Sequence, residues 1–243
     1  MTPANSPTDA FREDQREFFD KLVTESWGAY DDPLWDRSRR LEIEELFRCV
    51  GPRRVLDVGC GCGYHDVLMA ERPGVEVVEG IDYSARSVEA ADREYAHPRV
   101  QRRVGDLFAE PPGGYDLVVS FQVIEHLTDQ AGFMEACARQ TCPGGWVAVG
   151  TPNRLRLDNR VRMALGRERL LIDPMHFREL SAAELGDLAA GAGLEPVSTF
   201  AHGLSLNVPR LNRQLITPAR GIGLGRRLPA LASTLCSVFR VPA

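Results

Sequence analysis

From residue 54 onward, short, almost purely apolar runs alternate with segments whose apolar positions recur every three or four residues. The short runs predict strands at 55–58, 75–81, 115–121, 146–150 and 194–201, with a last one at 235–241, and the valine-bounded segment 100–104 is read as the third strand. The periodic segments predict helices at 63–71, 84–95, 129–142 and 181–192. Two further helices are predicted ahead of this alternation. Residues 11–27 carry Phe11, Phe18, Phe19, Leu22, Val23 and Trp27 near helical spacing, up to a break at Asp32-Pro33. Residues 34–50 place Leu41, Ile43, Leu46, Phe47 and Val50 inward, and Gly51-Pro52 ends them. Continuous apolar strands alternating with helices imply an α/β fold, a mostly parallel sheet covered on both faces.

The boundaries have local causes. Ser84 is placed to cap the helix after the second strand, and Ser181-x-x-Glu184 reads as a capping box with Gly193 as the stop. Pro143-Gly144-Gly145 ends the 129–142 helix. Residues 1–9, rich in Pro, Ser, Thr and Asn, are expected to be mobile. Residues 207–234 lack acids and contain several Pro and Gly, which predicts loop and short helices.

Composition changes the picture in two places. The chain of 243 residues is 44% hydrophobic, enough for a core, and its net charge of −5 argues against a nucleic-acid partner. Lys21 is the only lysine, so 28 of the 29 basic residues are arginines, which fits a GC-rich coding sequence. Those arginines cluster. Residues 154–172 carry Arg154, Arg156, Arg160, Arg162, Arg167 and Arg169 against Asp158 and Glu168, and no acid follows Glu195. The six cysteines form no CxxC, and neither a signal-peptide core nor an apolar run of membrane-spanning length is present. A cytoplasmic protein with free thiols is expected.

The candidate chemistry centres on Asp57-Val58-Gly59-Cys60-Gly61-Cys62-Gly63, a strand running into a helix through three alternate glycines. A dinucleotide G-x-G-x-x-G does not fit, because Tyr64 or Asp66 stands where its third glycine should be. No Gly-Lys-Ser/Thr follows, which excludes a P-loop. A carboxylate just before the turn disfavours a pyrophosphate and favours a cationic ligand group.

On these residues the chain resembles the class I S-adenosylmethionine-dependent methyltransferases, in particular the ubiquinone-biosynthesis-like (methyltransferase type 11/12) subgroup. Residues 56–63 resemble the first motif of that family, Gly80-Ile81-Asp82-Tyr83-Ser84 the acidic motif after strand 2, and Gly105-Asp106-Leu107 the adenine-side motif. Residues 120–127 resemble its strand-4 motif. The resemblance covers residues 51–201. It implies a Rossmann-like, seven-stranded, mostly parallel sheet, with N-terminal helices (1–50) and an insert after strand 5 (153–180) forming a cap on a 51–243 methyltransferase domain. It also implies that S-adenosyl-L-methionine is the cofactor and S-adenosyl-L-homocysteine the product.

The expected cofactor residues are Asp57, Gly59, Cys60, Gly61 and Gly63 at the amino-acid end, with Asp82 and Tyr83 at the ribose. Asp106 and Leu107 are expected at the adenine and Gln122 near the methionine. An acceptor oxygen needs help to lose its proton, which makes His126 and His176 the candidate bases. Glu125 reads as loop-positioning. No metal site is expected: Cys60 fills a small position of the motif, and His65 reads as a helix-surface residue. The acceptor is expected to be a small molecule, a secondary metabolite, sugar or prenylated precursor methylated on oxygen. N- or C-methylation, or a cofactor-binding partner protein without activity, stand as alternatives. The arginine-rich insert is read as a surface for an anionic acceptor or an anionic membrane, and the state as monomer or homodimer.

Overall fold

The computed structural model describes residues 33–204, 206–208, 213–216 and 218–243. The expected helix over 11–27 and the mobile start lie outside them. Seven strands form one sheet: β1 (Arg54–Val58), β2 (Val77–Asp82), β3 (Val100–Val104), β4 (Tyr115–Phe121), β5 (Thr141–Pro152), β6 (Glu195–His202) and, last in the chain, β9 (Thr234–Arg240). Their order is β3-β2-β1-β4-β5-β9-β6. The first five strands run parallel, and β9 lies antiparallel to both neighbours. The 235–241 strand is thus the one that enters the sheet between β5 and β6. A small hairpin, β7 (Leu206–Val208) with β8 (Arg213–Ile216), and the helix α7 (Pro218–Arg227) occupy the stretch expected to be loop and short helices.

The helices are α1 (Pro33–Cys49), α2 (Tyr64–Ala70), α3 (Ala85–Glu94), α4 (Gln130–Gln140), α5 (Leu157–Ala164) and α6 (Ala182–Gly191). Pro33, expected to break a helix, opens α1; its fixed φ and missing N–H are tolerated in a first turn. Ser84 Oγ accepts from Ser87 N at 3.1 Å, and the Ser181–Glu184 capping box is present. The sheet is covered on both faces. One core joins Leu56, Val118, Ile124, Phe133 and Met134 with Leu185 and Phe239; the other joins Val55, Val78 and Leu117 with Ile43, Leu46 and Met69. Helix α1 therefore packs into the sheet core itself.

Helix α1 is pinned by a buried charge. Glu42, fully buried, accepts from His65 Nε2 at 3.1 Å and His202 Nε2 at 2.8 Å, with Arg39 Nε 3.1 Å away. Burial pushes its carboxyl up, but Arg39 and the two histidines outweigh that and hold it well below the usual range. His65 is consequently no helix-surface residue: it is largely buried and stacks on Phe121, ring centroids 4.4 Å apart. Breaking a buried ion cluster from one side costs about 3–5 kcal/mol. At roughly 2–4 °C per kcal/mol for a chain of this size, Glu42→Ala should lower Tm by about 10 °C. A thermal scan showing an unchanged Tm would refute this account of α1.

Candidate active site

The expected cofactor residues lie along the carboxyl ends of β1, β2, β3 and β4, where an open α/β sheet binds ligands. The turn after β1 is built on positive φ at Gly59, Gly61 and Gly63. At Gly59 the need for glycine is also steric, since a Cβ would lie 2.5 Å from Val123 Cγ2. Gly59 N and Cys60 N both donate to Ile81 O, at 2.8 and 3.1 Å, which ties the turn to β2. Asp82 ties it again: Oδ2 accepts from Gly61 N at 3.0 Å, and Oδ1 from Ser84 N at 2.8 Å.

The expected residues do not all play the same part. Asp57 is buried at the end of β1, and its side chain meets Asp66 of α2. The Cys60 side chain packs towards Gly80, where a Cβ would lie 2.9 Å from Sγ, so Cys60 serves the turn through its backbone and by filling space. Burial pushes the Cys62 thiol up to about 11, which leaves it protonated and unreactive at neutral pH. Asp106 is exposed and caps a short 3-10 turn (Leu107–Ala109), accepting from Phe108 N at 3.0 Å, while Leu107 is buried beneath it. Tyr83, Val104 and Phe108 are exposed apolar side chains at the same sheet edge.

Gln122 follows β4 with φ of 60°, the one positive value among the non-glycine residues described. A non-glycine residue held there stores strain, about 1–3 kcal/mol, which is typical of functional sites. Its backbone N is fixed on Gly150 O at 2.8 Å, and its buried Nε2 has no partner among the described residues.

The structure brings the two histidines, 50 residues apart in the chain, together with ring centroids 4.7 Å apart and edge to face. His126 follows β4 in a 3-10 turn (Ile124–His126), and its Nδ1 lies 3.1 Å from Met175 O. His176 Nδ1 lies 3.1 Å from Glu179 Oε1. Both Nδ1 atoms face acceptors, which assigns a proton to Nδ1 of each ring and, in the neutral His126 imidazole, leaves Nε2 as the lone-pair nitrogen. Burial and the neighbouring His176 push His126 down to about 4. Glu125 is fully buried; burial raises it to about 7, and its Oε2 accepts from Thr151 Oγ1 at 3.0 Å. Its carbonyl takes the N–H groups of Phe177 and Arg178, at 2.8 and 3.1 Å, so the 175–178 segment is bonded to the end of β4.

Sequence reasoning missed three things here. Glu125, His126 and His176 each offer a ligand atom, all within 4.8 Å of one another. Arg102 on β3 reaches beneath the glycine turn, and Asp66 meets Asp57 there. Only the adjacency of Glu125 and His126 was visible in the chain; nothing local marked Arg102 or Asp66.

A glycine turn and acidic strand ends along an open sheet, whose last strand is inserted antiparallel between the fifth and sixth, define a Rossmann-like methyltransferase. The chain belongs to the methyltransferase-domain family, which it matches over residues 32–199. It is 41% identical over 185 residues to a probable S-adenosylmethionine-dependent methyltransferase of Mycolicibacterium smegmatis, covering 74% of this chain and 67% of that one. It is 36% identical over 213 residues to a ubiquinone biosynthesis O-methyltransferase of Bordetella avium, covering 81% and 87%. Among solved structures, the magnesium protoporphyrin IX methyltransferase of Synechocystis with bound S-adenosyl-L-homocysteine shares the fold, with a TM-score of 0.65 at 15% identity over 95% and 99% of the two chains.

The protein is an S-adenosylmethionine-dependent methyltransferase. Its residues fit that cofactor. Among the described residues the turn is open at Gly61, where a Cβ would meet only Gly59 O at 4.0 Å, and Gln122 Nε2 is a buried donor without a partner; the carboxyl groups of Asp57 and Asp82 stand at the ends of β1 and β2, as a cationic ligand requires.

Proposed function

We propose that this enzyme methylates an oxygen nucleophile on an amphipathic small molecule presented at an anionic lipid surface. The observation that carries this reading is the face of the 153–180 insert beside the histidine pair. Leu165, Leu170, Leu171, Ile172 and Phe177 are all about half exposed or more, among Arg160, Arg162, Arg167 and Arg169. Apolar side chains at the acyl boundary with arginines at the headgroups is the pattern of a surface that lies on a membrane. No helix among the described residues is long and apolar enough to cross one. Arg156 stands apart from that face: it is buried and ion-paired with Glu179. The relatives named as ubiquinone biosynthesis O-methyltransferases support an oxygen acceptor on a prenylated precursor.

In this reading Asp57, the glycine turn and Gln122 hold the amino-acid end of the cofactor, and Asp82 accepts from its ribose hydroxyls. Tyr83 stands beside Asp82 at the ribose, and Asp106 and Leu107 hold the adenine. The cofactor supplies the electrophilic methyl group, so the protein's task is to orient the acceptor, exclude water and take its proton. His126 Nε2, backed by His176, takes that proton. Flotation with vesicles tests the surface. Removing Arg160 and Arg162 together (both to Ala) should weaken binding to phosphatidylglycerol vesicles about thirtyfold, at about 1 kcal/mol per arginine, and leave phosphatidylcholine binding unchanged. Equal binding of variant and parent to anionic vesicles would sink the proposal.

The Glu125–His126–His176 trio favours a second reading of the same step. Two imidazoles and a carboxylate within 4.8 Å suit a divalent cation, which would acidify the acceptor hydroxyl directly. Activity lost to a chelator and restored by added Mg²⁺, Mn²⁺ or Zn²⁺ supports it; full activity after exhaustive chelation leaves the histidine base.

A further inference from the structure

Beneath the glycine turn lies a set of charges that the methyl transfer does not use. Asp57 of β1 and Asp66 of α2 are both buried; Asp57 pairs with Gly80 of β2, and a Cβ on Gly80 would lie 2.9 Å from Asp66 Oδ2, so the two carboxyl groups stand side by side. Two buried carboxylates cannot both stay charged there. One must keep a proton, and the pair then carries a single negative charge. The remaining contacts agree. Asp66 Oδ2 accepts from Arg102 Nε at 2.6 Å, while buried Asp66 Oδ1 has no amide, hydroxyl or guanidinium donor among the described residues, which leaves it to a protonated Asp57.

Arg102 holds the arrangement. Its side chain is 1% exposed, so its charge needs partners. Nη2 donates to Gly63 O at 3.0 Å and Tyr95 O at 3.1 Å, and Nη1 to Asp92 Oδ1 at 3.1 Å. A Cβ on Gly63 would lie 2.6 Å from Arg102 Nε, so the third glycine of the turn also makes room for this guanidinium. The charged and titratable groups facing the pair are Arg102 from β3, Asp82 from β2, Asp92 from α3 and the Cys60 thiol of the turn. Burial and then Asp66 raise Asp57 well above the usual carboxylate range, and Arg102 opposes them.

We propose that Asp57 and Asp66 share one proton in the cofactor-free enzyme, that Arg102 positions the pair, and that the cationic amino-acid end of the cofactor expels this proton on binding. The O–H bond of Asp57 breaks, the proton goes to solvent, and the ligand ammonium replaces it as the neutralising charge. This rests on Asp57 serving the amino-acid end of the cofactor. The sign is definite. A ligand that favours the ionised pair binds more tightly as pH rises through the pair's raised range, and its affinity levels off above it. Arg102 is a positioning residue: without its charge the pair holds the proton to higher pH.

Calorimetric titration of the full chain with S-adenosyl-L-homocysteine, in two buffers of different ionisation enthalpy between pH 6 and 8, counts the protons released. The parent should release up to one. Asp66→Asn, which can donate to an ionised Asp57 and adds no second charge, should release none and lose the pH dependence of Kd. Arg102→Gln should move the Kd–pH curve upward by about one unit, which is about tenfold in affinity at a fixed pH on its slope. Equal release by the parent and Asp66→Asn overturns the shared proton. If Asp57→Asn binds as tightly as the parent, the fault lies instead in placing Asp57 at the cofactor. Thermal scans of each variant confirm that folded protein is being titrated.

Discussion

Asp82→Ala should weaken cofactor binding by two to three orders of magnitude and abolish methyl transfer at ordinary cofactor concentrations. Asp82 is asked to do two things at once. Its carboxylate already accepts from Gly61 N and Ser84 N, which fixes the turn against β2. The same group, at the carboxyl end of β2, is proposed to accept from the ribose hydroxyls. Hydrogen bonds to a charged acceptor contribute about 1.5–3 kcal/mol each, so losing two of them near the lower end, about 3–4 kcal/mol together, accounts for two to three orders of magnitude. Asp82→Asn keeps the shape and one oxygen acceptor, and should lose about tenfold to a hundredfold. Equilibrium titration with S-adenosyl-L-homocysteine separates the outcomes. An Asp82→Ala protein that binds within threefold of the parent would refute the placement of the ribose.

The second large effect belongs to the histidine pair. His126→Ala should lower kcat by about 10²–10⁴, the usual range for a lost general base, with cofactor affinity unchanged. His176→Ala should cost less, because its ring supports His126 and is itself held by Glu179. The pH profile distinguishes this role from packing. His126, pushed down to about 4, is deprotonated throughout the neutral range, so its own titration does not limit the rate there. Glu125, raised to about 7 by burial, is protonated below that pH and ionised above it. Ionised, it stabilises an imidazolium beside it. The parent's kcat should therefore rise through about pH 7 to a plateau, and Glu125→Gln should remove that limb. A profile unchanged by Glu125→Gln, or full activity in both histidine variants, would favour an acceptor nitrogen or carbon over oxygen.

Much of the fold was legible because its signals are local. Strand β4 begins and ends where its apolar run does, β3 has its expected bounds although most of its residues are exposed, and Ser84, Ser181 and Gly193 cap or stop their helices as their side chains and backbone freedom dictate. His65 shows where local reasoning fails. On its own helix it looks like a surface residue, yet Glu42, distant in the chain and shared with His202, makes it a largely buried hydrogen-bond donor. The insert shows the same limit: six arginines looked alike in sequence, and only packing sets Arg156 inside on Glu179, pairs Arg154 with Glu184 and leaves the others for the surface or for local bonds.

By itself the sequence determined the alternation of strand and helix, the three positive-φ glycines and the acids that end β1 and β2. Each depends on residues within a few positions of one another. Tertiary structure alone decided what those acids face. It joined Asp57 to Asp66 and Arg102, His126 to His176, and the arginine-rich insert to the end of β4. The reason is physical: burial and charge pairing depend on distance in space, and the parallel sheet brings together side chains that the chain itself keeps far apart.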